Sequence, residues 1–274
     1  MRKPRVFMFL GVAALAIITV VMLFPIFVLI STSLQTMAEI LRYPPSFLPV
    51  KPQFINYMDV FGKLSFALPL RNSLIISGLI VAGTLLSSSL VAFGFARYNA
   101  PGKNILFTVV LLTLMLPFPS LMIPQFVMFS SMGWVNTLLP IIVPAFFGSA
   151  YMIFLLRQFF GSLNNSLFES ARIDGCGEFR AYWNIALPLS GPALATVAIF
   201  SFIWSWDDLL TQVIYLNTIP TLPILLSGLR AAHMIPPWNM MMVAALLTSL
   251  PCILLFLFCQ RYFVEGIVTT GMKG

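Results

Sequence analysis

The chain has 274 residues, of which 59% are hydrophobic and only 8% are charged, and its formal net charge is +7. A soluble domain is about 25% charged, and one with this composition would expose apolar patches large enough to cause aggregation. Composition therefore excludes an ordinary soluble domain and predicts an all-α, polytopic membrane protein whose apolar segments are solvated by lipid.

A helix needs about 20 predominantly apolar residues to cross the hydrocarbon core of a bilayer. Length and lack of charge predict six transmembrane helices, at Phe7–Ile30, Asn72–Phe95, Ile105–Phe129, Thr137–Leu156, Pro192–Leu210 and Met240–Gln260. The first span follows three basic residues, as a signal peptide would. The apolar region of a signal peptide is shorter, about 7–15 residues, so we interpret this span as a retained helix.

Lysine and arginine are enriched in the cytoplasmic loops of membrane proteins. With six spans, both ends of the chain lie on one side, and that side would hold Arg2, Lys3, Arg5, Arg97, Lys103, Arg157, Arg172, Arg180, Arg261 and Lys273. The other side would hold only Arg42, Lys51, Lys63, Arg71 and Arg230. We therefore predict cytoplasmic termini in a multi-pass protein of the cytoplasmic (inner) membrane. Because no single face concentrates the positive charge, it does not indicate nucleic-acid binding.

Two long segments connect spans on the predicted outer side. Residues 31–71 are rich in proline and aromatic residues and lack a polar low-complexity composition, so we interpret them as a structured loop. Residues 213–239 form a second outer loop, which contains the only histidine, His233. A single loop histidine is interpreted as a solvated side chain.

The third predicted span contains Pro117, Pro119 and Pro124. Proline inside a helix removes a backbone hydrogen bond and kinks the helix. In a membrane, broken backbone is tolerated where it is buried in protein or lines a cavity. Two interpretations remain open: the kink at Pro117 and Pro119 lines a transport pathway, or it serves only packing.

The most charged stretch, residues 157–190, lies between the fourth and fifth spans. Ser166 and Glu169 have the spacing of a capping box, which predicts a helix start. Gly175 suits the position after a helix end, where a positive φ angle is free of strain. We expect the apolar face of this helix to comprise Leu167, Ala171 and Ile173.

A second short helix is predicted over Glu178–Ala186 and is expected to end at Pro188. This helix is amphipathic, with Phe179, Trp183 and Leu187 on one flank. Together the two helices form a helix–glycine–helix elbow at the membrane surface. Two interpretations remain open: the elbow only joins two spans, or it is a docking face for a cytoplasmic protein.

The elbow resembles the cytoplasmic loop of ATP-binding-cassette importer permeases, whose pattern is Glu-Ala-Ala, then Asp-Gly-Ala, then Ile-x-Leu-Pro. This chain has Glu169-Ser170-Ala171, Asp174-Gly175-Cys176 and Ile185-Ala186-Leu187-Pro188. Serine and cysteine replace two alanines, and both are small. The resemblance implies that the elbow is a coupling helix seated in an ATPase subunit. The coupling residues that it implies are Glu169, Ser170, Ala171, Asp174, Gly175, Ile185, Leu187 and Pro188.

The resemblance extends over nearly the whole chain and points to the carbohydrate-uptake branch, similar to the shorter maltose-permease subunit. The stretches involved are Asn72–Leu74, Ala92–Tyr98, Trp204–Asp208 and Gln260–Gly274. It implies one permease of a sugar importer that works by alternating access. The implied partners are a second homologous permease, two ATPase subunits and an extracytoplasmic sugar-binding protein. The tail, residues 261–274, would reach toward the ATPase dimer interface.

A phosphate-binding loop needs Gly-x-x-x-x-Gly-Lys-Ser/Thr. The two Gly-Lys pairs, at Gly62 and Gly102, are not followed by serine or threonine. We expect no ATPase site and no cofactor on this chain, so partner ATPase subunits would bind ATP and Mg²⁺. No metal site or disulfide is predicted either, because the spacing of Cys176, Cys252 and Cys259 shows no paired pattern.

Two other function classes were open to the sequence. An ion-coupled secondary transporter would place acids or histidines within its spans, yet the spans are nearly free of ionisable groups except Asp207 and Asp208. These acids are either a solvated helix end, or groups that hydrogen-bond sugar hydroxyls or shape the outer gate. Trp204 and Trp206 either stack on sugar rings or belong to an aromatic belt. A membrane enzyme is disfavoured, because no nucleophile–base pair is apparent.

Overall fold

Helix α1, Arg5–Ser33, corresponds to the first predicted span and is slightly longer than predicted. The computed structural model describes residues 5–231 and 236–271, and the secondary structure of these residues is helical, without strands. His233 therefore lies outside the described residues. Pro25 lies inside α1, a position that a membrane helix tolerates.

The segment after α1 contains two short helices, α2 at Met37–Ile40 and α3 at Ile55–Lys63. A capping box starts α2: Thr36 Oγ1 accepts from the Glu39 N–H at 3.2 Å, and the Glu39 carboxylate accepts from the Thr36 N–H at 2.8 Å. The amide of Asn56 then ties α3 to the end of α1. Its Nδ2 donates to the carbonyls of residues 33 and 35, at 2.9 and 3.0 Å.

Helix α4, Ala67–Arg97, contains the second predicted span, and the third is divided between α5, Lys103–Thr113, and α6, Phe118–Ser131. The axes of α5 and α6 differ by 95°. The predicted kink is thus confirmed, and it is a complete break. Pro117 is the extended residue before α6 (φ −68°, ψ 133°), and Pro119 lies in the first turn, where its missing N–H has no helical partner to lose.

The fourth span begins with α7, Leu139–Ile142, and a 3₁₀ turn, Val143–Phe147. Gly148 then breaks the helix with a φ of 92°, and α8 follows at Ala150–Ser162. The ring of Phe146 lies against the backbone of Gly83, where an added Cβ would be 2.7 Å from the ring. A small residue on α4 therefore permits this close approach, as the cluster of small residues there suggests.

The charged stretch continues with α9, Asn165–Ile173, α10, Glu178–Ala181, a π-helical turn, Tyr182–Ala186, and α11, Leu187–Leu189. Helix α12, Gly191–Trp206, follows after a bend of 80°. It ends four residues before the predicted end of the fifth span, because Asp207 and Asp208 interrupt the helix.

The last helices are α13, Leu209–Tyr215, α14, Leu222–Ala231, and α15, Trp238–Gly271. The end of α13 and all of α14 lie in the predicted second outer loop, and α15 continues beyond the predicted sixth span into the tail. By length and composition, four of the described helical segments could cross a membrane. The number rises to six if each of the two bent pairs counts as one span.

The described residues divide into two compact units. One comprises the chain up to Leu68 together with Leu225–Pro251, and the other comprises Pro69–Ile224 together with the chain from Cys252 onward. In the first unit, the Asn239 amide donates to Asn56 Oδ1 at 3.0 Å. The main core of the second unit is formed by α4, α5, α8, the elbow and α12, with Phe93, Phe107, Leu156, Phe160, Tyr182 and Val197 at its centre.

Candidate functional site

The elbow, defined as residues 164–190, begins at an N-cap that differs from the predicted one. Asn164 Oδ1 accepts from the Ser166 N–H at 3.0 Å and caps α9. The predicted capping box of Ser166 and Glu169 does not form, so that prediction is wrong. Glu169 is instead exposed in the middle of α9.

The turn between the two arms of the elbow is built around Gly175, as predicted. Its φ is 77°, a left-handed conformation that side chains disfavour. The Gly175 N–H donates to the Arg172 carbonyl at 3.0 Å, and the Cys176 N–H donates to the Ala171 carbonyl at 2.8 Å. These paired bonds form a Schellman motif, which satisfies the last carbonyls of α9.

The second arm continues through Pro188, contrary to the prediction that it ends there. In the π-helical turn, the Leu187 N–H donates to the Tyr182 carbonyl, five residues earlier. Pro188 then occupies the first turn of α11, where a proline needs no N–H. The arm ends at Ser190, whose hydroxyl donates to the Ala186 carbonyl at 2.7 Å.

The inner face of the elbow packs on α4 and α8. Phe168 of the first arm and Tyr182 of the second arm are buried, and both rings contact Phe93 of α4, at centroid distances of 6.1 and 5.3 Å. The Tyr182 hydroxyl also hydrogen-bonds the Ser89 hydroxyl at 2.8 Å. The predicted apolar face missed Phe168 and placed Ile173 inward, whereas Ile173 is exposed.

The outer face of the elbow is apolar and exposed. Ile173 is 87% exposed, Phe179 70% and Trp183 53%. Phe179 and Trp183 stack on each other, with ring centroids 6.4 Å apart and an interplanar angle of 18°. Next to these rings, a salt bridge of 2.8 Å between Arg172 and Glu178 joins the two arms. Exposed large apolar groups beside charges are typical of a binding surface.

Arg97 lies at the end of α4 beside the elbow, and the sequence predicted only its side of the membrane and no contact for its side chain. Its guanidinium donates to Asn165 Oδ1 at 2.5 Å and to the carbonyls of Phe160 and Leu163 at 2.6 and 2.9 Å. The guanidinium carbon also lies 4.0 Å from the centre of the Phe168 ring. Basic residues are common at helix ends next to turns, so the sequence does not indicate that this arginine contacts α8 and α9.

The next residue, Tyr98, contacts the second arm. Its hydroxyl donates to Glu178 Oε2 at 3.1 Å. Burial raises the pKa of the Tyr98 phenol, and the hydrogen bond and negative charge of Glu178 raise it further, because each of them disfavours the phenolate. The phenol is therefore a neutral donor at physiological pH.

The predicted substrate residues of the fifth span lie around the break between α12 and α13. Asp207 is the C-cap of α12, and Asp208 is the N-cap of α13, where its Oδ1 accepts from the Thr211 N–H at 3.0 Å. Trp206 is buried, whereas Trp204 is half exposed and packs against Tyr151 at 5.5 Å. The Asp208 carboxylate is therefore used in capping, whereas the Asp207 side chain is exposed and its carboxylate caps no helix.

The prolines of the third span and the cysteines lie outside the elbow, except Cys176, which follows Gly175 in the turn. Pro117 and Pro119 are exposed at the 95° break between α5 and α6. Cys176, Cys252 and Cys259 form no disulfide. Among residues 9–231 and 236–260, no three histidine, cysteine, aspartate or glutamate side chains come together in a group able to hold a metal ion.

The chain is similar to several known proteins. The family described as "Binding-protein-dependent transport system inner membrane component" matches residues 84–268. The arabinooligosaccharides transport system permease protein AraQ of Halalkalibacterium halodurans is 35% identical, over 97% of this chain and 95% of the relative. The sn-glycerol-3-phosphate transport system permease protein UgpE of Brucella abortus is 32% identical, over 92% of each chain.

A solved structure has the same fold. It is the crystal structure of a bacterial ABC transporter involved in the import of the acidic polysaccharide alginate, and one of its chains matches with a TM-score of 0.82. The match covers 96% of this chain and 98% of that one, at 23% sequence identity.

Proposed function

Because the chain belongs to the family of inner-membrane components of binding-protein-dependent transport systems, we propose that it is a permease subunit of an ATP-driven importer for a sugar or oligosaccharide. The two relatives described above are named for arabinooligosaccharides and for sn-glycerol-3-phosphate. Both are hydrophilic molecules with several hydroxyl groups. A sugar or oligosaccharide cargo fits this chemistry.

The elbow is the site at which this subunit couples to ATP hydrolysis. The observation that supports this role most strongly is the contrast between its two faces: Phe168 and Tyr182 are buried against α4, whereas Ile173, Phe179 and Trp183 are exposed. A partner that binds the exposed face can therefore displace the packed face. The coupling set is Glu169, Ser170, Ala171, Asp174, Gly175, Ile185, Leu187 and Pro188.

The remaining subunits supply what this chain lacks. Two ATPase subunits bind ATP and Mg²⁺, since the sequence has no phosphate-binding loop. A second, homologous permease completes the membrane path, and an extracytoplasmic binding protein delivers the sugar. The excess of lysine and arginine on one side of the six spans supports a cytoplasmic location for both termini and for the elbow.

Transport follows alternating access between inward-open and outward-open states. The substrate path runs past the break between α12 and α13 and the bend between α5 and α6. Its residues on this chain are Trp204, Trp206, Asp207, Asp208, Pro117 and Pro119. Trp204 and Asp207, both exposed, contact the sugar directly, while the buried Trp206 and the capping Asp208 hold the break in shape.

Charge reversal in the elbow tests the coupling role. The complete complex is purified through a tag on this chain and reconstituted in proteoliposomes with binding protein and arabinooligosaccharides. Glu169→Lys is expected to reduce uptake per ATP hydrolysed by about tenfold or more, a typical coupling free energy between sites. The control is Ser162→Lys, which also introduces a lysine, on the exposed end of α8 outside the elbow.

Two results would contradict the proposal at different levels. Wild-type uptake by Glu169→Lys would mean that the elbow is only a connector. A chain that purifies without an ATPase, and whose uptake stops when an ion gradient is dissipated, would instead indicate a secondary transporter.

A further inference from the structure

We propose that Arg97 and Tyr98 form a clamp that fixes both arms of the elbow to the end of α4. As a consequence, α4 receives the displacement of the elbow directly and transmits it across the membrane. The inference rests on the proposed coupling role of the elbow, and it assigns the helix through which coupling passes. Arg97 and Tyr98 are positioning residues, since neither is placed on the docking face.

Arg97 joins α4 to two neighbouring helices at once. Its guanidinium donates to two carbonyls at the end of α8, those of Phe160 and Leu163, and to the side chain of Asn165 in the first turn of α9. The carbonyls at a helix end have no intrahelical partner and favour a cation. A planar guanidinium with five donors can satisfy three oxygens in different directions, which the single ammonium of lysine does less well.

Arg97 also packs against the first arm of the elbow. Its guanidinium carbon lies 4.0 Å from the centre of the Phe168 ring, a geometry that gives a favourable cation–π interaction. Phe168 is the buried residue of α9, and its ring also contacts Phe93. The first arm is thus held to α4 by polar and apolar contacts together.

Tyr98 holds the second arm. Its hydroxyl donates to one carboxylate oxygen of Glu178, and the other oxygen accepts from Arg172 Nε at 3.0 Å. The chain of contacts from Tyr98 through Glu178 to Arg172 therefore links α4 to α10 and then to α9. It closes the two arms across the Gly175 turn, so that they move as one body.

The contacts lie along one stripe of α4. Ser89, Phe93 and Arg97 are spaced four residues apart, which places them on the same side of a helix. Ser89 and Phe93 contact Tyr182 of the second arm, and Phe93 also contacts Phe160 of α8 at 5.8 Å. The elbow is therefore attached over more than two turns of α4, and the clamp is the last part of this attachment.

This attachment has a mechanical consequence. Helix α4 has 31 residues, which corresponds to a length of about 46 Å, more than the thickness of the hydrocarbon core. A displacement applied at its Arg97 end therefore moves the opposite end of the same helix. Without the clamp, the elbow would remain attached to α4 through the contacts of Phe168 and Tyr182 with Phe93 and Ser89, but the end of α4 nearest the elbow would no longer be held to both arms.

The first experiment compares transport with hydrolysis in the reconstituted complete complex. Arg97→Gln is expected to lower substrate transported per ATP hydrolysed by about tenfold, because hydrolysis continues while α4 no longer follows the elbow. Arg97→Lys should recover part of the loss, and Tyr98→Phe, which removes one hydrogen bond, should cost about threefold. The matched control is Arg71→Gln, an exposed arginine at the other end of α4, which should keep the wild-type ratio.

These variants separate failure of the clamp from failure of the elbow. A wild-type ratio for Arg97→Gln, with uncoupling by Glu169→Lys, would overturn the clamp and leave the elbow as the coupling site. Wild-type behaviour of both variants would remove the coupling role as well. If Arg97→Gln prevents assembly of the complex, Tyr98→Phe becomes the deciding variant, because it removes one hydroxyl and preserves packing. A wild-type ratio of transport to ATP hydrolysis in Tyr98→Phe would then overturn the clamp.

A distance measurement tests the motion itself. Spin labels at Ser166 on α9 and Leu86 on α4, both exposed, are introduced after replacement of the native cysteines. In the wild type their separation should stay the same with and without ATP, because the elbow and α4 move together. Tyr98→Phe and Arg97→Lys should broaden the distance distribution. A wild-type separation that changes on ATP binding would overturn the proposal.

Discussion

Trp204 and Trp206 lie two positions apart on α12, yet their environments are opposite. Trp206 is 2% exposed and stacks on Phe202 at 5.1 Å, whereas Trp204 is 51% exposed and stacks beside Phe200. Residues two apart on a helix point about 200° apart, so only one of them can face the core. The sequence places both near the end of a span and contains no signal for which one is buried, because the neighbouring helices decide it.

The start of α9 illustrates the same limit. The sequence offers three consecutive capping residues, Asn164, Asn165 and Ser166, all of which favour N-cap positions. The structure uses Asn164 as the cap. Asn165 instead accepts a hydrogen bond from Arg97, and this contact, 68 positions away in the chain, cannot be predicted from local spacing. The Gly175 turn was predictable, because its requirement is local.

At residue scale we predict that Gly175→Ala loosens the elbow. A side chain at this positive φ costs about 1–2 kcal/mol, which should raise the open fraction of the elbow about 5–30-fold. Trypsin cleavage after Arg172 and Arg180 in the purified complex should accelerate by the same factor, provided that opening is fast relative to cleavage. Substrate uptake should fall in parallel.

The control for this prediction is Gly177→Ala. Gly177 has an ordinary φ of −69°, and no atom lies within 4 Å of an added Cβ. Cleavage of this variant should match the wild type. Equal cleavage rates for the two variants would show that the left-handed turn contributes nothing to the order of the elbow.

At the scale of elements, two prolines show why helix breaks are only partly predictable. Pro117 stands between α5 and α6, and the chain breaks there as expected. Pro188 was expected to end a helix, yet the helical backbone passes through it to Leu189. The difference lies in what precedes each proline: a π-helical turn, Tyr182–Ala186, brings Pro188 into a first-turn position. That turn is stabilised by burial of Tyr182 against α4, which is a tertiary effect.

The segment between α2 and α3 provides a pH-dependent prediction. The Thr36 N–H, and more weakly the Val50 N–H and the Thr36 hydroxyl, donate to the Glu39 carboxylate and lower its pKa, although burial opposes this. A depressed pKa means that the stabilisation is complete above the ordinary carboxyl pKa of about 4.3 and is lost as the pH falls through the lower folded pKa. We expect amide-exchange protection at Val50 to decrease between pH 6 and pH 3.

The matched variant is Glu39→Gln, which keeps the shape of the side chain and removes its titration. Its protection factor at Val50 should be lower than wild type at pH 6 and should not change with pH. A wild-type protection factor that stays constant down to pH 3 would contradict the assignment of the carboxylate as the capping acceptor.

At the scale of the whole molecule, the number of spans follows from apolar length, but their continuity does not. Four described helical segments are long enough to cross a membrane without a sharp bend, and two further pairs are bent by 95° and 80°. The sequence predicted six continuous spans because hydropathy reports only how many apolar residues follow one another, and not whether the helix axis changes direction among them. The bends lie at Pro117 and at Ser190, where the regular helical backbone is interrupted, and packing determines the new direction.

The orientation of the molecule is testable by labelling from each side of the membrane. Tyr43 and Ile173 are both exposed, and three predicted spans separate them along the chain. In spheroplasts, Tyr43→Cys should react fully with a membrane-impermeant maleimide. Ile173→Cys should react only after the cytoplasmic membrane has been permeabilised. The physical reason is the retention of lysine and arginine on the cytoplasmic side.

The background for this measurement is a variant with Cys176, Cys252 and Cys259 replaced by serine, which should not be labelled at all. Reactivity of Ile173→Cys from outside, with protection of Tyr43→Cys, would reverse the predicted orientation and remove the elbow from the cytoplasm.

The sequence by itself determined the class of protein, the approximate positions of the apolar spans, the elbow and its glycine turn. These features depend on local composition and on φ angles that single residues require, so they can be recognised along the chain. Only the tertiary structure decided which residues of the elbow face inward, that Trp206 is a core residue, and that Arg97 and Tyr98 join α4 to both arms. The contacts between the elbow region and α4 join residues 63–93 positions apart. Their energy depends on distances and directions that exist only after the helices have packed.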